Sequence, residues 1–145
     1  MRERVVIKWG GGLITDKTSL CTPDLEVLEQ LAACVATCIE HGFDVILVHG
    51  AGSFGHLRSK HWRLNEGYLP DHIFENDGIC STQHEAMEVV RKEMLELNSH
   101  VCEALLKKNL KPLIHPPHQW AKNTGPSFIG NLDRFSSQDV SKIHV

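Results

Sequence analysis

Two short stretches hold most of the residues that can do chemistry. Lys8 and Trp9 run into Gly10, Gly11 and Gly12, with Lys17 just beyond, and Gly50-Ala51-Gly52-Ser53-Phe54-Gly55-His56 stands further along the chain. Six of the eleven glycines lie in these two stretches, and glycine lets a backbone approach a partner that a Cβ would hold away. A phosphoryl group is such a partner, because its oxygens accept several hydrogen bonds at once from backbone N–H groups at a helix start. Lys8 and Lys17 can neutralise a transferring phosphoryl group lying between the two stretches. His56 can donate to phosphate oxygens, orient an acceptor phosphate or exchange a proton near neutral pH. The plainer alternative makes the glycines ordinary turns, leaves both lysines in solvent and treats His56 as a solvent-facing cap. Neither stretch has the GxxxxGK[ST] of a P-loop, so that class is disfavoured; Gly50, Gly52 and Gly55 do stand at GxGxxG spacing, a weak signal when taken alone.

The remaining histidines point less clearly to chemistry. His49 reads as the end of a buried strand, and the His115/His118 pair with His61 invites zinc but lacks a cysteine or carboxylate at ligand spacing. Surface placement is the better reading for these, and no metal ligand is assigned. The five cysteines, Cys21, Cys34, Cys38, Cys80 and Cys102, are odd in number and show no CxxC, which suits a reduced, cytoplasmic chain.

These groups need elements to position them. Val5-Val6-Ile7 reads as a buried strand, and Phe43 to His49 as a second, almost wholly apolar one. Between them Leu25, Leu28, Ala32, Val35 and Ile39 recur at helical spacing, with Pro23 expected in the first helical position and His41-Gly42 at the end. Residues 57–78 have no clean period and read as loop, short helix and a hairpin that could form a rim or lid. Thr82 to Glu85 makes a capping box for a long helix whose face carries Met87, Val90, Met94, Leu97, Val101 and Leu105, closed by Lys107-Lys108-Asn109. That stripe reads first as core. If the substrate has a short hydrocarbon tail, Met87, Val90 and Met94 with Tyr68 and Phe74 can wall a pocket for it. Leu110 to His115 is expected to be a third strand, weakened by Pro112, and the chain after Trp120 is polar and turn-rich. The order predicts an α/β fold with a mainly parallel sheet and helices on both sides.

With 145 residues, 41% of them hydrophobic, the length and composition alone suit one globular domain. A formal charge of −3 offers no broad basic surface for nucleic acid or an anionic membrane. The N-terminal apolar run is too short for a signal peptide or a membrane span.

The run from Val6 to Lys17, followed by Ile46 to His56, resembles the amino acid kinase superfamily, and within it the isopentenyl phosphate kinases. The specific part is VHGAGSFGH, because superfamily members that phosphorylate carboxylates do not place a histidine at the end of this loop. Leu97-Asn98, Leu105 and Phe135-Ser136 extend the likeness. The resemblance implies a three-layer αβα sandwich, of which residues 1–145 form the N-terminal, acceptor-phosphate-binding part of a single domain with the C-terminal half missing. It implies transfer of the γ-phosphoryl of ATP to isopentenyl phosphate in isoprenoid biosynthesis, with Mg2+ held mainly by the nucleotide phosphates, in a form that is a homodimer at full length. By motif match, Lys8 would stabilise the transferring phosphoryl, Gly10 and Gly11 would cradle nucleotide phosphates, and Lys17 would contact phosphates from its loop. Gly50, Ala51, Gly52 and Gly55 would line the acceptor-phosphate site, and His56 would bind that phosphate during the reaction. Gly12 stands where the family usually has Ser, Trp9 replaces a small aliphatic residue, and the segment His115 to His118 departs from the family pattern, so no site residue is carried over there. The family's later Gly-Asp and Ser-Gly-Asp-Asp elements do not occur before Val145. A non-catalytic phosphate-binding or interaction form, and a superfamily kinase with another small phosphate or phosphonate acceptor, stand as alternatives.

Overall fold

The computed structural model describes residues 2–120 and 143–145. Strands β1 (Arg4–Trp9) and β2 (Asp44–His49) pair in parallel, in register from Arg4↔Asp44 to Trp9↔His49. Both strands therefore end at the same level, and the two glycine stretches leave the sheet side by side. Parallel neighbours need a crossover, and helix α2 (Leu25–Glu40) supplies it. The short helix α1 (Gly11–Ile14) lies directly after β1.

Helix α2 starts at Leu25 because the Asp24 carboxylate accepts the Val27 N–H at 3.1 Å. Pro23, expected inside the helix, instead forms an isolated antiparallel bridge with Thr15. Helix α3 (His56–His61) and a 3-10 turn, Leu64–Glu66, occupy the start of the patternless region, and no strand forms there among the described residues, so the expected hairpin is absent. The long helix α4 (Gln83–Leu106) opens on Thr82, whose hydroxyl accepts the Glu85 N–H, while the Glu85 carboxylate reaches back to the Ser81 N–H at 2.7 Å. The helix-closing role of Asn109 is confirmed by its left-handed φ of 58°. A last short helix, α5, covers Pro117–Trp120.

One core joins Trp9, Val45 and Leu47 of the sheet to Leu28, Ala32 and Val35 of α2 and to Leu97, Val101 and Leu105 of α4. Both long helices thus cover the same sheet face. The alternate strand residues Val6 and Val48 point to the other face and are exposed, so the described residues supply the sheet and one helical layer. Trp62, Cys80 and Ala86 form a second buried cluster with Leu64, Phe74 and Val89, which ties the 62–81 segment to the start of α4.

The third strand is not Leu110 to His115. Strand β3 (Ile143–His144) pairs in parallel with β2 through Val45↔Ile143 and Ile46↔His144, giving the order β1-β2-β3. This segment meets the end of the chain instead, the His115 N–H donating to the Val145 carbonyl and the Val145 N–H to the Leu113 carbonyl. Pro112 has no N–H to extend that ladder. Phe135 and Ser136, and the polar stretch from residue 121 to 142, lie outside the described residues. No helix among the described residues is long and apolar enough to cross a membrane.

Leu97 is fully buried at the junction of α2, α4 and the sheet. Leu97→Ala is expected to cost about 2–5 kcal/mol of unfolding free energy, whereas Tyr68→Ala, at a residue 79% exposed, should change it by less than about 0.5 kcal/mol. Urea unfolding of the two variants checks both.

Candidate functional site

The glycine loops meet backbone to backbone. A Cβ on Gly11 would stand 2.1 Å from the Gly52 nitrogen, and one on Gly50 would stand 2.6 Å from the Gly11 nitrogen. Gly52 also has φ +50°, and a Cβ there would lie 2.1 Å from Thr15 Oγ1. No side chain fits at these crossings, which explains three of the glycines by contact rather than by turn preference.

Thr15 locks the crossing. Its hydroxyl donates to the Gly11 carbonyl at 2.7 Å and accepts the Ser53 N–H at 3.0 Å. The Ser53 hydroxyl in turn accepts the Thr22 N–H at 3.2 Å, and the Ser53 carbonyl accepts the Cys21 N–H. Thr15 and Ser53 are both buried. Sequence reading did not single out either one, although each sits beside a glycine run and is small, polar and able to donate and accept.

Between the loops lies an open cradle of about 410 Å³, lined by Gly11, Gly12, Lys17, Ala51, Gly52, Ser53, His56 and Leu57. The backbone N–H groups of Gly11, Gly12, Ala51 and Gly52 donate to no acceptor among the described residues. Of the residues selected from sequence, the structure brings Gly11, Lys17, Ala51, Gly52 and His56 to this cradle. Lys8 and Gly10 are exposed at the end of β1 and do not line it, Gly50 underlies it against Gly11, and Gly55 is buried behind it. Gly12, Ser53 and Leu57 are additions. The Lys17 side chain lies across Gly12, with its Cε 2.5 Å from where a Cβ would be, so the missing side chain at this position makes room for the lysine stem. Trp9 is a core residue, 2% exposed.

His56 opens α3, and α3 is fixed by a buried ion cluster. Arg58 on the same helix donates through Nε and Nη2 to Glu93 Oε1 of α4 at 3.0 and 2.8 Å, and through Nη1 to Asp77. Asp77 also accepts the Trp62 indole N–H and the Ile79 and Cys80 amides. Burial pushes the Asp77 carboxyl up, but Trp62, Cys80, Ile79 and Arg58 together outweigh it and hold the group well below the usual carboxylate range.

Behind the cradle, on the side of α4, is an apolar cavity of about 540 Å³ whose walls include Ile46, Val48, Val90, Met94 and Leu95, with His49 and Asn98 among its few polar residues. Gly55 forms part of the partition, since a Cβ there would touch Ala51 Cβ and Val90 Cγ1 at 3.3 Å and Met94 Sδ at 3.6 Å. Val90 and Met94 therefore line a pocket as expected. Met87, Tyr68 and Phe74 do not. Tyr68 projects into solvent, and Phe74 packs on Trp62 with ring centroids 5.1 Å apart, because the Asp77 anchor draws its loop toward Trp62 instead of toward the cavity.

The sequence profile of the amino acid kinase family matches residues 3–144. The isopentenyl phosphate kinase of Methanothermobacter thermautotrophicus is 27% identical over 140 residues, covering 96% of this chain and 47% of that protein. Protein ARG5,6, mitochondrial, of Candida albicans is 37% identical over 106 residues, covering 73% of this chain and 10% of that protein. A crystal structure of an isopentenyl phosphate kinase superposes with a TM-score of 0.63 at 27% identity, over 81% of this chain and 46% of that one. The crystal structure of the T. acidophilum isopentenyl phosphate kinase product complex superposes with a TM-score of 0.59 at 21% identity, over 78% of this chain and 42% of that one, a likeness of fold. The chain spans just under half the length of the isopentenyl phosphate kinases it matches.

Gly52→Ala is expected to cost more than about 1 kcal/mol, since both φ and space exclude a Cβ, whereas Gly10→Ala, with φ −64° and nothing within 4 Å, should be neutral or stabilising by up to about 1 kcal/mol. Denaturation midpoints separate the two. Because the Asp77 carboxyl is depressed on folding, its contribution is complete above its ordinary value of 3.8 and is lost as pH falls toward the lower native value. Asp77→Asn should therefore flatten the loss of stability below about pH 4, as measured by urea midpoints across the acid range.

Proposed function

The chain belongs to the amino acid kinase family, and from that we propose that it is the acceptor-binding part of a phosphotransferase that moves the γ-phosphoryl of ATP to isopentenyl phosphate, giving isopentenyl diphosphate. The observation that carries the proposal is the pairing of two cavities across one thin wall. A cradle of free backbone amides with Lys17 and His56 suits a phosphate, and the apolar cavity beyond Ala51 and Gly55 suits a short hydrocarbon tail. The likeness to isopentenyl phosphate kinases supports the choice of acceptor.

In this reading the acceptor phosphate sits on the amides of Ala51 and Gly52 and against His56, with Gly50 and Gly55 keeping side chains out of its way. One of its oxygens attacks the γ-phosphorus, the new O–P bond forms as the bond to the β-phosphate oxygen breaks, and ADP leaves with that electron pair. Lys8 stabilises charge on the transferring group, Gly10 and Gly11 offer backbone to the nucleotide phosphates, and Lys17 closes over them from its loop. The residues lining the cradle include no carboxylate, so a magnesium ion would be held by the nucleotide's own oxygens, where it neutralises the β- and γ-phosphates.

A coupled ADP-release assay with ATP and isopentenyl phosphate tests this. Turnover is expected to fall at least about 100-fold in His56→Ala, and Lys8→Ala is expected to lower kcat far more than it raises KM, because its charge matters most in the transition state. Turnover unchanged by His56→Ala would overturn the assignment. Binding of isopentenyl phosphate without turnover would limit this chain to a binding part, and preference for another small phosphate would reassign the acceptor.

A further inference from the structure

His49 ends β2 as its sequence position predicts, and the catalytic proposal does not use it. It lines the apolar cavity and directly precedes Gly50, which underlies the cradle. Its Nδ1 is 3.1 Å from the Gly50 carbonyl, and its Nε2 is 3.0 Å from Asn98 Nδ2 on α4. Asn98 Oδ1 faces the Cys102 thiol at 3.6 Å.

These partners fix every proton. A carbonyl can only accept, so Nδ1 carries the hydrogen. Nε2 then presents a lone pair to an N–H of Asn98, which leaves Asn98 Oδ1 to accept the Cys102 S–H. The ring is neutral in this arrangement. Burial pushes the His49 imidazole down, against a smaller opposing pull from the Gly50 carbonyl, and burial pushes the Cys102 thiol up to about 11, keeping its proton in place.

We propose that His49 is a positioning residue: by holding the Gly50 carbonyl away from the cradle it aims the Ala51 N–H into it, and Asn98 sets the tautomer that makes this possible. The link is peptide geometry. The Gly50–Ala51 bond is trans, so its C=O and N–H point in opposite directions, and Ala51 lines the cradle. The same His49 and Asn98 side chains line the apolar cavity. The groups that aim a phosphate donor are therefore groups that a hydrocarbon occupant would touch. This inference rests on the reading of the cradle as a phosphate site.

Two measurements on the 145-residue chain test it. Long-range 1H–15N spectra of the imidazole rings, with His49 identified by the peaks lost in His49→Gln, should show a neutral Nδ1–H tautomer at neutral pH. Asn98→Asp, which removes the Nε2 donor, should convert it to the Nε2–H or cationic form. A dominant Nε2–H ring in the unmodified chain, or a ring unaltered by Asn98→Asp, would overturn the proposal. Binding of isopentenyl phosphate, followed at the Ala51 amide resonance, should weaken about 5- to 10-fold in His49→Gln and His49→Leu. His49→Asn should keep affinity close to that of the unmodified chain, because its amide N–H can occupy the place of Nδ1–H. Equal affinity in His49→Gln and the unmodified chain would sink the positioning role even if both fold. Should the unmodified chain bind no phosphate at all, the kinase reading falls, and the ring spectra still decide whether His49 holds Gly50.

Discussion

The cradle depends on the crossing of two backbones at Gly11 and Gly52. There the loops after β1 and β2 run so near each other that an added Cβ would overlap the opposite main chain. This contact requires the two parallel strands to end in register, as Trp9↔His49 does. It requires glycine at both loops, and among the described residues Thr15 is the side chain that bonds to both, through the Gly11 carbonyl and the Ser53 amide. The cradle is the space left over once these conditions are met. Its free amides belong to the starts of short helical turns, before the first backbone-paired amides of those turns at Leu13 and Phe54.

Helix α4 serves three purposes along its 24 residues, and helical geometry keeps them apart. Leu97, Val101 and Leu105 face the common core, Glu93 reaches Arg58 and so fixes the helix that carries His56, and Val90, Met94 and Asn98 face the apolar cavity. Residues four apart share a face, which is why Val90, Met94 and Asn98 form one wall. A buried pair such as Arg58 and Glu93 contributes little net stability by itself, since desolvation offsets attraction. Its value here is direction, because the guanidinium is gripped by carboxylates from two separate segments.

The sequence revealed the elements whose signals are local. Strands β1 and β2, helices α2 and α4 and the left-handed Asn109 all follow from periodicity and capping chemistry in neighbouring residues. The residues gathered at the cradle were legible for the same reason, because glycine runs are conspicuous. What could not be read was set by distant partners. Thr15 and Ser53 become important only when the loops cross, and Pro23 is diverted from α2 to a bridge with Thr15. Tyr68 and Phe74 have the right types for a pocket wall, but the anchoring of Asp77 by Arg58 and Trp62 takes their segment elsewhere. Leu110 to His115 has strand-like composition, yet the place beside β2 goes to Ile143–His144.

The cradle is joined across 38 residues of sequence between Thr15 and Ser53, with α2 and β2 in between. A donor set divided in this way exists only in the folded strand-helix-strand unit, since the unfolded chain cannot hold both loops around one anion without paying the closure entropy first. Whatever anion bridges the two loops therefore draws on the folding equilibrium itself. Occupancy of the cradle and cooperativity of the whole unit become one thermodynamic quantity, and the chain will resist unfolding in proportion to the logarithm of free ligand above its dissociation constant.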